Sequence, residues 1–291
     1  MLPAETRLPR STVAWQMTEA LVEARDIVVA YSGRRGFLGQ RRSGKPVLHH
    51  VDMSVDKGET VGIVGESGSG KTTLGRALLG LISPAEGSIF FDGKEITGLK
   101  EPSMRKLRRR MQMIFQDPMS SLNPRRRIRN ILIDPLLLHG LCDSASAEHS
   151  VREVIARVGL PSTVLDCFAH QLSGGQRQRI GIARAVVLKP DFVLADEIVS
   201  GLDVSTQAQV LALLGELKRE MNLAMAFISH DLSVVRAVCN RVYVLREGRV
   251  VEEGRCDEIF KAPRDAYTRT LIDAIPLPVI DKGWLSRQVY D

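Results

Sequence analysis

The sequence lacks any apolar run long enough to cross a lipid bilayer. A spanning helix needs roughly 18 or more consecutive apolar residues, whereas the apolar stretch 131–138 is already interrupted by Asp134 and Pro135. Residues 1–7, with the sequence MLPAETR, contain no apolar core of the kind found in a signal peptide. We therefore expect a cytosolic chain.

Aromatic residues and cysteines are scarce. Phe, Trp and Tyr make up 5% of the 291 residues, which argues against the stacking platforms that bind single-stranded nucleic acid. The four cysteines, at positions 142, 167, 239 and 256, are too far apart to form a CxxC metal or redox pair. Four reduced thiols are the expectation for a cytosolic protein.

The net charge is modest, because 40 Lys and Arg residues face 34 Asp and Glu residues and leave a formal charge of +6. The arginines nevertheless cluster, at 34–35, 41–42, 105–110 and 125–129. No helix-turn-helix, zinc-finger or RNA-recognition motif accompanies these clusters. Since charge alone is a weak indication of nucleic-acid binding, we interpret them as solvated or membrane-apposed surface and expect no nucleic-acid partner.

Hydrophobic patterning predicts an α/β fold. The continuously apolar segment at 60–64 and the segment at 192–196, which is apolar from 192 to 195, are typical of strands buried on both faces. Helical periodicity follows at 71–81, and again from an N-cap at Asp203 to about residue 220. Strands that alternate with helices predict a largely parallel sheet covered on both faces. The other predicted strands lie at 21–31, 47–55, 87–91, 110–115, 223–228 and 241–245, with helical stretches at 130–168 and 176–188 and a loop at 32–45.

A glycine-rich turn between the first buried strand and the first helix matches the pattern G-x-x-x-x-G-K-[ST]. Its glycines let the backbone direct N–H groups toward an anion at the start of the helix. Lys71 can then reach the β- and γ-phosphates, and the Thr72 hydroxyl can hold Mg²⁺. A chance glycine-rich turn is the alternative, but the strand-to-helix context favours a nucleotide site. This phosphate loop consists of Gly65, Glu66, Ser67, Gly68, Ser69, Gly70, Lys71, Thr72 and Thr73.

Two acidic residues follow the second buried strand. Asp196 ends the apolar run, where a carboxylate could position Mg²⁺. Glu197 comes next, and a carboxylate beside the γ-phosphate could orient the attacking water as a general base. The alternative is an acidic pair that caps a helix, and the preceding apolar run makes it the less favoured reading.

A second anion cradle is predicted at residues 172–176, where Ser-Gly-Gly opens a helix with free N–H groups, a hydroxyl and a favourable dipole. Ser173, Gly174, Gly175 and Gln176 form this serine-glycine segment. It lies too far along the chain from Lys71 to belong to the same loop. Two phosphate-facing surfaces on one chain suggest a head-to-tail pair in which each cradle completes the partner's site.

Together these motifs resemble those of the ATP-binding subunits of ABC transporters, from about residue 20 to 276. Six short motifs in the family's order are specific, although each alone is weak. The resemblance implies a phosphate-loop NTPase core, an antiparallel β lobe near the N-terminus and a helical lobe at about 120–172. The remaining family motifs are Phe115-Gln116-Asp117-Pro118, Ser200-Gly201-Leu202-Asp203 and Ser229-His230-Asp231.

The resemblance also implies roles for single residues. Tyr31 would stack on adenine, Gln116 would contact Mg²⁺ and sense the transporter, and His230 would contact the γ-phosphate as a catalytic residue beside Glu197. Asp203 would belong to the nucleotide site as well. The alternatives are strand packing for Tyr31, an amide at a strand edge for Gln116, and a helix cap for His230.

Two positions depart from the family pattern. Ile198 occupies the place where the family usually has proline, and Gly201 replaces its usual alanine. Neither change removes a phosphate or metal ligand. They put in doubt the stiffness of the loop before Asp203.

Within this family, the sequence resembles the class of dipeptide, oligopeptide and nickel importers. Residues 116–124, reading QDPMSSLNP, look like that class, and so does the insertion at 32–45. The C-terminal stretch 263–276 is similar too, although the usual His-Pro-Tyr appears as Asp265-Ala266-Tyr267. This implies Mg²⁺-dependent ATP hydrolysis that energises peptide uptake.

The implied partners are two membrane-spanning permease subunits, a second ATP-binding subunit and a separate solute-binding protein. The chain would lie at the cytoplasmic face of the inner membrane as a peripheral subunit. Its implied division is an irregular 1–20, an ATP-binding domain at 21–260 and an accessory tail at 261–291. An importer for nickel, opines or another solute, an exporter ATPase, and a soluble ATPase acting on nucleic acid or ribosomes remain as alternatives. Whether the ATPase pair is two copies or this chain with a relative also stays open.

Overall fold

The computed structural model describes residues 20–31 and 45–275. Three expectations from the sequence therefore fall outside the described residues: the irregular N-terminus, nearly all of the loop at 32–45, and the tail from residue 276. The proposed division of the chain at residues 20 and 260 stays a prediction.

The two described ranges contain ten strands and ten α-helices. The strands are β1 (Ala20–Ala30), β2 (Pro46–Asp56), β3 (Thr60–Val64), β4 (Glu86–Phe91), β5 (Lys94–Glu95), β6 (Met111–Ile114), β7 (Phe192–Asp196), β8 (Ala224–Ile228), β9 (Arg241–Arg246) and β10 (Arg249–Arg255). The helices are α1 (Lys71–Leu78), α2 (Glu101–Arg108), α3 (Pro118–Ser121), α4 (Ile128–Leu138), α5 (Ser144–Arg157), α6 (Gly174–Val186), α7 (Val204–Met221), α8 (Leu232–Val238), α9 (Cys256–Lys261) and α10 (Ala266–Asp273). Two 3₁₀ segments, Ser162–Asp166 and Ala169–Gln171, lie between α5 and α6.

The larger sheet has six strands in the order β10-β9-β3-β8-β7-β6. All of its pairings are parallel except that of β9 with β10. Every residue of β3, β7 and β8 is buried, as their continuous apolar sequences predict. The predicted parallel sheet is therefore confirmed. Because β3, β8 and β7 are neighbours and parallel, the segments that follow them leave the same edge of the sheet.

The smaller sheet is antiparallel, with strand order β2-β1-β4-β5, and confirms the predicted antiparallel β lobe. Its buried residues share one apolar cluster with α1 and with one face of the larger sheet. Val22, Ile63, Leu74 and Phe91 belong to this cluster. The first helix is thus packed between the two sheets, which fixes the position of its N-terminus.

The opposite face of the larger sheet packs against the helices α4 to α7. Leu132, Val151, Ile180 and Val210 contribute one residue from each of these helices to an apolar cluster that also contains Val193 of β7. The region predicted to be a helical lobe is helical in the structure. Among the described residues, no helix has both the length and the apolar character needed to cross a membrane.

Helix ends differ from the predictions where local hydrogen bonds override periodicity. Helix α1 ends at Leu78 and not at 81, because Gly80 adopts a left-handed φ of 62° and donates its N–H to the Ala77 carbonyl at 2.8 Å. Helix α6 begins at Gly174 and not at 176, since Ser173 is its N-cap. The predicted N-cap of α7 is confirmed, because the Asp203 carboxylate accepts from the Thr206 N–H at 2.9 Å.

Several short elements have no counterpart in the sequence predictions: β5, α2, α8, α9 and α10. Helix α2 shows why. Its eight residues, EPSMRKLR, bury only Met104, and a segment this short falls below the window of about 11–18 residues over which helical periodicity is detected.

Close packing of α1 generates a prediction about stability. A Cβ added at Gly75 would lie 2.8 Å from both Leu194 Cδ atoms and 3.0 Å from Ile228 Cδ1, and these side chains are fully buried. Overpacking costs typically about 1–3 kcal/mol, so Gly75→Ala should lower the free energy of unfolding in a denaturant titration.

Gly215→Ala is the matched control, because Gly215 also lies within a helix but has no neighbour within 4 Å of an added Cβ. Gly215→Ala should therefore only raise helix propensity, which increases the free energy of unfolding by roughly 0.5–1 kcal/mol. Gly75→Ala protein that is as stable as Gly215→Ala protein would show that α1 is not clamped against the sheet.

Candidate functional site

At two of its glycines the phosphate loop combines a positive φ with neighbours that leave no room for a Cβ. Gly65 has a φ of 146° and an added Cβ would lie 2.1 Å from the Leu245 carbonyl oxygen. Gly70, the N-cap of α1, has a φ of 105° and an added Cβ would lie 2.7 Å from Leu48 Cδ2. The loop therefore turns tightly from β3 into the N-terminus of α1, which is the geometry of an anion cradle.

Lys71 is held inside this loop, with 5% of its surface exposed. Its Nζ donates hydrogen bonds to the carbonyls of Gly65 and Glu66, each at 2.8 Å. Burial lowers the pKa of Lys71, and the nearby charges of Glu197 and Asp196 act in the opposite direction. A buried ammonium next to converging N–H groups favours an anionic ligand.

Two further groups of the loop fit a phosphate chain with its cation. The Ser69 hydroxyl is buried and has no hydrogen-bond partner among the described residues, so it is available to a ligand. Thr72 Oγ1 donates to Asp196 Oδ1 at 3.2 Å, which places a hydroxyl and a carboxylate side by side. Oxygen ligands of this kind suit Mg²⁺. Burial, followed by the charge of Glu197, raises the pKa of Asp196.

Glu197 is at the centre of a polar cluster at the edge of the larger sheet. Its Oε2 accepts from Gln116 Nε2 at 3.1 Å and lies 3.5 Å from His230 Nδ1. The three side chains come from the segments after β6, β7 and β8, and the sheet brings them together. Glu197 itself has a left-handed φ of 47°, an uncommon conformation for a residue other than glycine. Its N–H is fixed by a hydrogen bond to the Ile228 carbonyl at 3.0 Å.

The alternatives left open by the sequence for these residues are disfavoured. Asp196 and Glu197 cap no helix, because the next helix has Asp203 as its N-cap. His230 does not cap α8 either, since the cap is Asp231, whose carboxylate accepts from the Ser233 N–H at 2.9 Å.

Tyr31 follows the last residue of β1 and is 49% exposed, so it does not serve strand packing. Its hydroxyl lies 3.1 Å from Thr73 Oγ1 at the end of the phosphate loop. An exposed aromatic ring beside the phosphate loop is available for a planar ligand to stack on.

The serine-glycine segment opens α6 as predicted. Ser173 Oγ accepts from the Gln176 N–H at 3.3 Å, while Gln176 Oε1 accepts from the Ser173 N–H at 3.0 Å. This pair of bonds is a capping box that leaves Ser173 exposed. Among the described residues, no hydrogen bond joins 172–176 to the phosphate loop of the same chain.

Asp203 lies beside the serine-glycine segment rather than beside Lys71. An added Cβ at Gly175 would be 2.8 Å from Thr206 Cγ2, so the first turns of α6 and α7 are in contact. Gly174, by contrast, has open space around the position of a Cβ. The exposed Asp203 carboxylate accepts from both the backbone and the hydroxyl of Thr206.

The two departures from the family pattern have clear structural settings. Ile198 is fully buried and packs in the apolar cluster of the helical side. Gly201 has a left-handed φ of 75°, which alanine adopts only with strain. The chain therefore follows a turn at Gly201 that alanine would disfavour.

Two residues that make contacts at the site were missed by sequence reasoning. The Tyr267 hydroxyl accepts from the Glu66 N–H of the phosphate loop at 2.9 Å. Arg184 of α6 donates to the Ser121 carbonyl, and its guanidinium lies 5.3 Å from the ring centre of Phe115, next to Gln116. For Tyr267 the partial His-Pro-Tyr match was the available signal, whereas nothing local distinguishes Arg184.

Comparison with known proteins gives consistent matches. Residues 48–200 match the ABC transporter family. A candidate peptide import ATP-binding protein of Brucella ovis is 47% identical over 263 residues, which cover 90% of this chain and 81% of that protein. The oligopeptide transport ATP-binding protein AppF of Bacillus subtilis is 44% identical over 260 residues, covering 89% of this chain and 79% of AppF.

Solved structures agree on the fold. The dimeric structure of MJ0796, a bacterial ABC transporter cassette, aligns with a TM-score of 0.72 and 27% identity over 81% of this chain and 98% of that chain. A dimeric post-hydrolysis state of the same cassette, bound to ADP and Pi, gives a TM-score of 0.72 at 28% identity with the same coverage.

The burial of Asp196 predicts a pH-dependent effect on stability. Because burial raises the pKa of Asp196 above its unfolded value, its ionised form destabilises the fold at neutral pH. This penalty disappears as the pH falls through the raised pKa. Asp196→Asn keeps an oxygen for the Thr72 hydroxyl, so the ligand-free variant should melt at a higher temperature than the parent at neutral pH. The difference should shrink on acidification in a thermal unfolding series.

Asp203→Asn is the control, and its melting temperature should change in the opposite direction. Hydrogen bonds from Thr206 hold the pKa of Asp203 below its usual value, so its charge stabilises the fold at neutral pH and the variant should melt lower. An Asp196→Asn protein that also melts lower at neutral pH would contradict the account of a destabilising buried carboxylate.

Proposed function

The chain belongs to the ABC transporter family, and from this premise we propose that it is the ATP-hydrolysing subunit of an importer that takes up peptides across the cytoplasmic membrane. The observation that carries the ATPase activity is the placement of Lys71, Asp196 and Glu197 at one edge of a parallel sheet. The peptide specificity is supported by the peptide import and oligopeptide transport names of the relatives.

The phosphate loop binds the triphosphate in this proposal. Its N–H groups, the Lys71 ammonium and the unpaired Ser69 hydroxyl provide donors at the N-terminus of α1. Tyr31 offers its exposed ring to adenine. Thr72, Asp196 and Gln116 would hold Mg²⁺. When bound, the cation neutralises charge on the transferring phosphate oxygens.

Glu197 and His230 are the catalytic residues of ATP hydrolysis in this proposal. The Glu197 carboxylate takes the proton from the attacking water as general base, and Gln116 Nε2 orients that carboxylate through a hydrogen bond of 3.1 Å. His230, with Nδ1 3.5 Å from the same carboxylate oxygen, stands ready to contact the γ-phosphate. The left-handed backbone at Glu197 aims the side chain at this cluster.

A second ATP-binding subunit completes each site. Ser173, Gly174, Gly175 and Gln176 form a helix N-terminus that has no hydrogen bond to the phosphate loop of its own chain among the described residues. A head-to-tail pair brings this segment, with Asp203 beside it, to the phosphate loop of the partner. The solved relative is itself dimeric. The partner is a second copy of this chain or a related subunit.

The other partners are two membrane-spanning permease subunits and a separate solute-binding protein, with no nucleic acid. The chain is a peripheral subunit at the cytoplasmic face of the inner membrane. Exposed apolar side chains near Gln116 and on the helical side support a docking surface there. They are Phe115, Met119, Leu137, Leu138 and Leu141.

The first test of this function is Glu197→Gln. The amide keeps the size of the side chain but cannot accept a proton from water. A positioned base is worth roughly 10²–10⁴ in rate, so the rate of ATP hydrolysis should fall by about that factor. Binding of ATP with Mg²⁺ should survive, and the two subunits should stay paired in size-exclusion chromatography.

Two further variants separate the parts of the site. Lys71→Ala should lose both hydrolysis and most ATP affinity, because a charge-assisted contact to phosphate is gone. Ser173→Arg in the Glu197→Gln background should run as a monomer with ATP, since it blocks the second cradle. If the pair requires a related subunit, the dimer should appear only when that subunit is added. Pairing that is indifferent to ATP and to Ser173→Arg would refute the shared site.

Peptide specificity has its own test. The chain should be extracted from membranes together with its permease subunits and reconstituted in liposomes with the solute-binding protein of the same system. We expect di- or oligopeptides to stimulate ATP hydrolysis and to enter the vesicles. Stimulation by Ni²⁺ or by another solute, with none by peptides, would contradict peptide import while leaving the ATPase assignment intact.

A further inference from the structure

Helix α10 lies against the phosphate loop through one side chain. The Tyr267 hydroxyl accepts a hydrogen bond from the Glu66 N–H at 2.9 Å, across a sequence separation of 201 residues. Tyr267 is 8% exposed. The contact therefore joins the C-terminal region of the described chain to the nucleotide site at a buried position.

The Tyr267 ring is fixed from several sides. The Glu252 carboxylate, also 8% exposed, accepts from the backbone N–H groups of Arg264 at 2.8 Å and Asp265 at 3.1 Å. Asp265 in turn caps α10 by accepting from the Tyr267 N–H at 2.8 Å. The Arg246 guanidinium lies 5.0 Å from the ring centre. The hydroxyl is thus presented to the loop by a rigid support.

Tyr267 contacts the same peptide group that accepts a hydrogen bond from the Lys71 ammonium. The Glu66 N–H and the Gly65 carbonyl belong to the same peptide group, and in a trans peptide they point in opposite directions. Tyr267 accepts from the N–H on one side, while the Gly65 carbonyl accepts from Lys71 Nζ at 2.8 Å on the other. Fixing the N–H direction therefore fixes the carbonyl that orients Lys71.

We propose that Tyr267 is a positioning residue of the nucleotide site, which holds the Gly65–Glu66 peptide so that the phosphate loop and Lys71 are arranged before the phosphates bind. Helix α10 is in this way a part of the ATP site. This inference rests on the proposed function. A phosphate loop that is already ordered loses less conformational entropy when ATP binds. ATP therefore binds more tightly although no contact to it is added.

Tyr267→Phe removes only the hydroxyl and is the direct test. A hydrogen bond of this kind contributes about 0.5–1.5 kcal/mol, so the affinity for ATP with Mg²⁺ in isothermal titration calorimetry should fall by about 2- to 13-fold. The KM for ATP should rise in the same proportion. The kcat should change little, because Gln116, Glu197 and His230 come from other strands.

Tyr243→Phe is the matched control. The Tyr243 hydroxyl is buried as well and accepts from the Ser54 N–H at 3.2 Å and from Arg241 at 2.6 Å, but among the described residues it has no hydrogen bond to the phosphate loop. Both variants should lose some thermal stability, but only Tyr267→Phe should lose ATP affinity. Equal affinities for the two variants would overturn the proposal, because Tyr267 would then be merely structural.

A measurement without nucleotide separates this inference from the proposed function. In amide hydrogen exchange of the ligand-free full chain, the peptide spanning residues 65–70 should exchange faster in Tyr267→Phe than in the parent and in Tyr243→Phe. Glu252→Gln, which loosens the support of α10, should change exchange in the same direction to a smaller extent. Unchanged exchange would overturn the positioning role even if the parent binds ATP. Parent protein that binds no ATP would instead refute the proposed function, and the exchange result would still decide the Tyr267 contact.

Discussion

The structure depends on the backbone path between β3 and α1. Gly65 and Gly70 adopt left-handed conformations at points where neighbouring atoms leave no room for a Cβ, and this directs the loop N–H groups and Lys71 to the edge of the larger sheet. Because β3, β8 and β7 are adjacent and parallel, the segments after all three strands emerge at that edge. Lys71, Glu197 and His230 meet there although they are far apart in sequence.

The electrostatics of the site follow from this placement. Burial lowers the pKa of Lys71 and raises that of Asp196, so both charges are less favourable at this site than in water. The left-handed backbone at Glu197 adds local strain. A phosphate chain with its cation adds further opposite charge beside these groups. Such a site lowers the stability of the ligand-free protein in exchange for affinity, as functional sites commonly do.

Much of the fold and most of the site residues could be predicted because their signals are local. The phosphate loop is a contiguous pattern, β7 is a continuous apolar run, and the N-cap at Asp203 precedes an apolar stripe in α7. What stayed hidden is long-range or too short for its periodicity to be recognised. Helix α2 buries only Met104, and the left-handed conformation of Glu197 is imposed by the surrounding fold.

The contact of Tyr267 with Glu66 shows most clearly what cannot be predicted from sequence patterns. A residue-by-residue pattern cannot reveal a hydrogen bond that spans 201 positions, because it depends on how α10 packs on the sheet. The match to a C-terminal family motif suggested only a relationship. The structure turns it into a physical connection between the tail helix and the peptide that orients Lys71.

The central claim is that this sheet edge binds ATP between two subunits, and a crystal structure of the Glu197→Gln protein with ATP and Mg²⁺ tests it most directly. We predict that Lys71 Nζ contacts the phosphates while it still donates to the Gly65 carbonyl, as it does here at 2.8 Å. We also predict that Ser173 of a second subunit faces the same nucleotide. A nucleotide bound elsewhere, with no contact to Lys71 Nζ, would contradict the account.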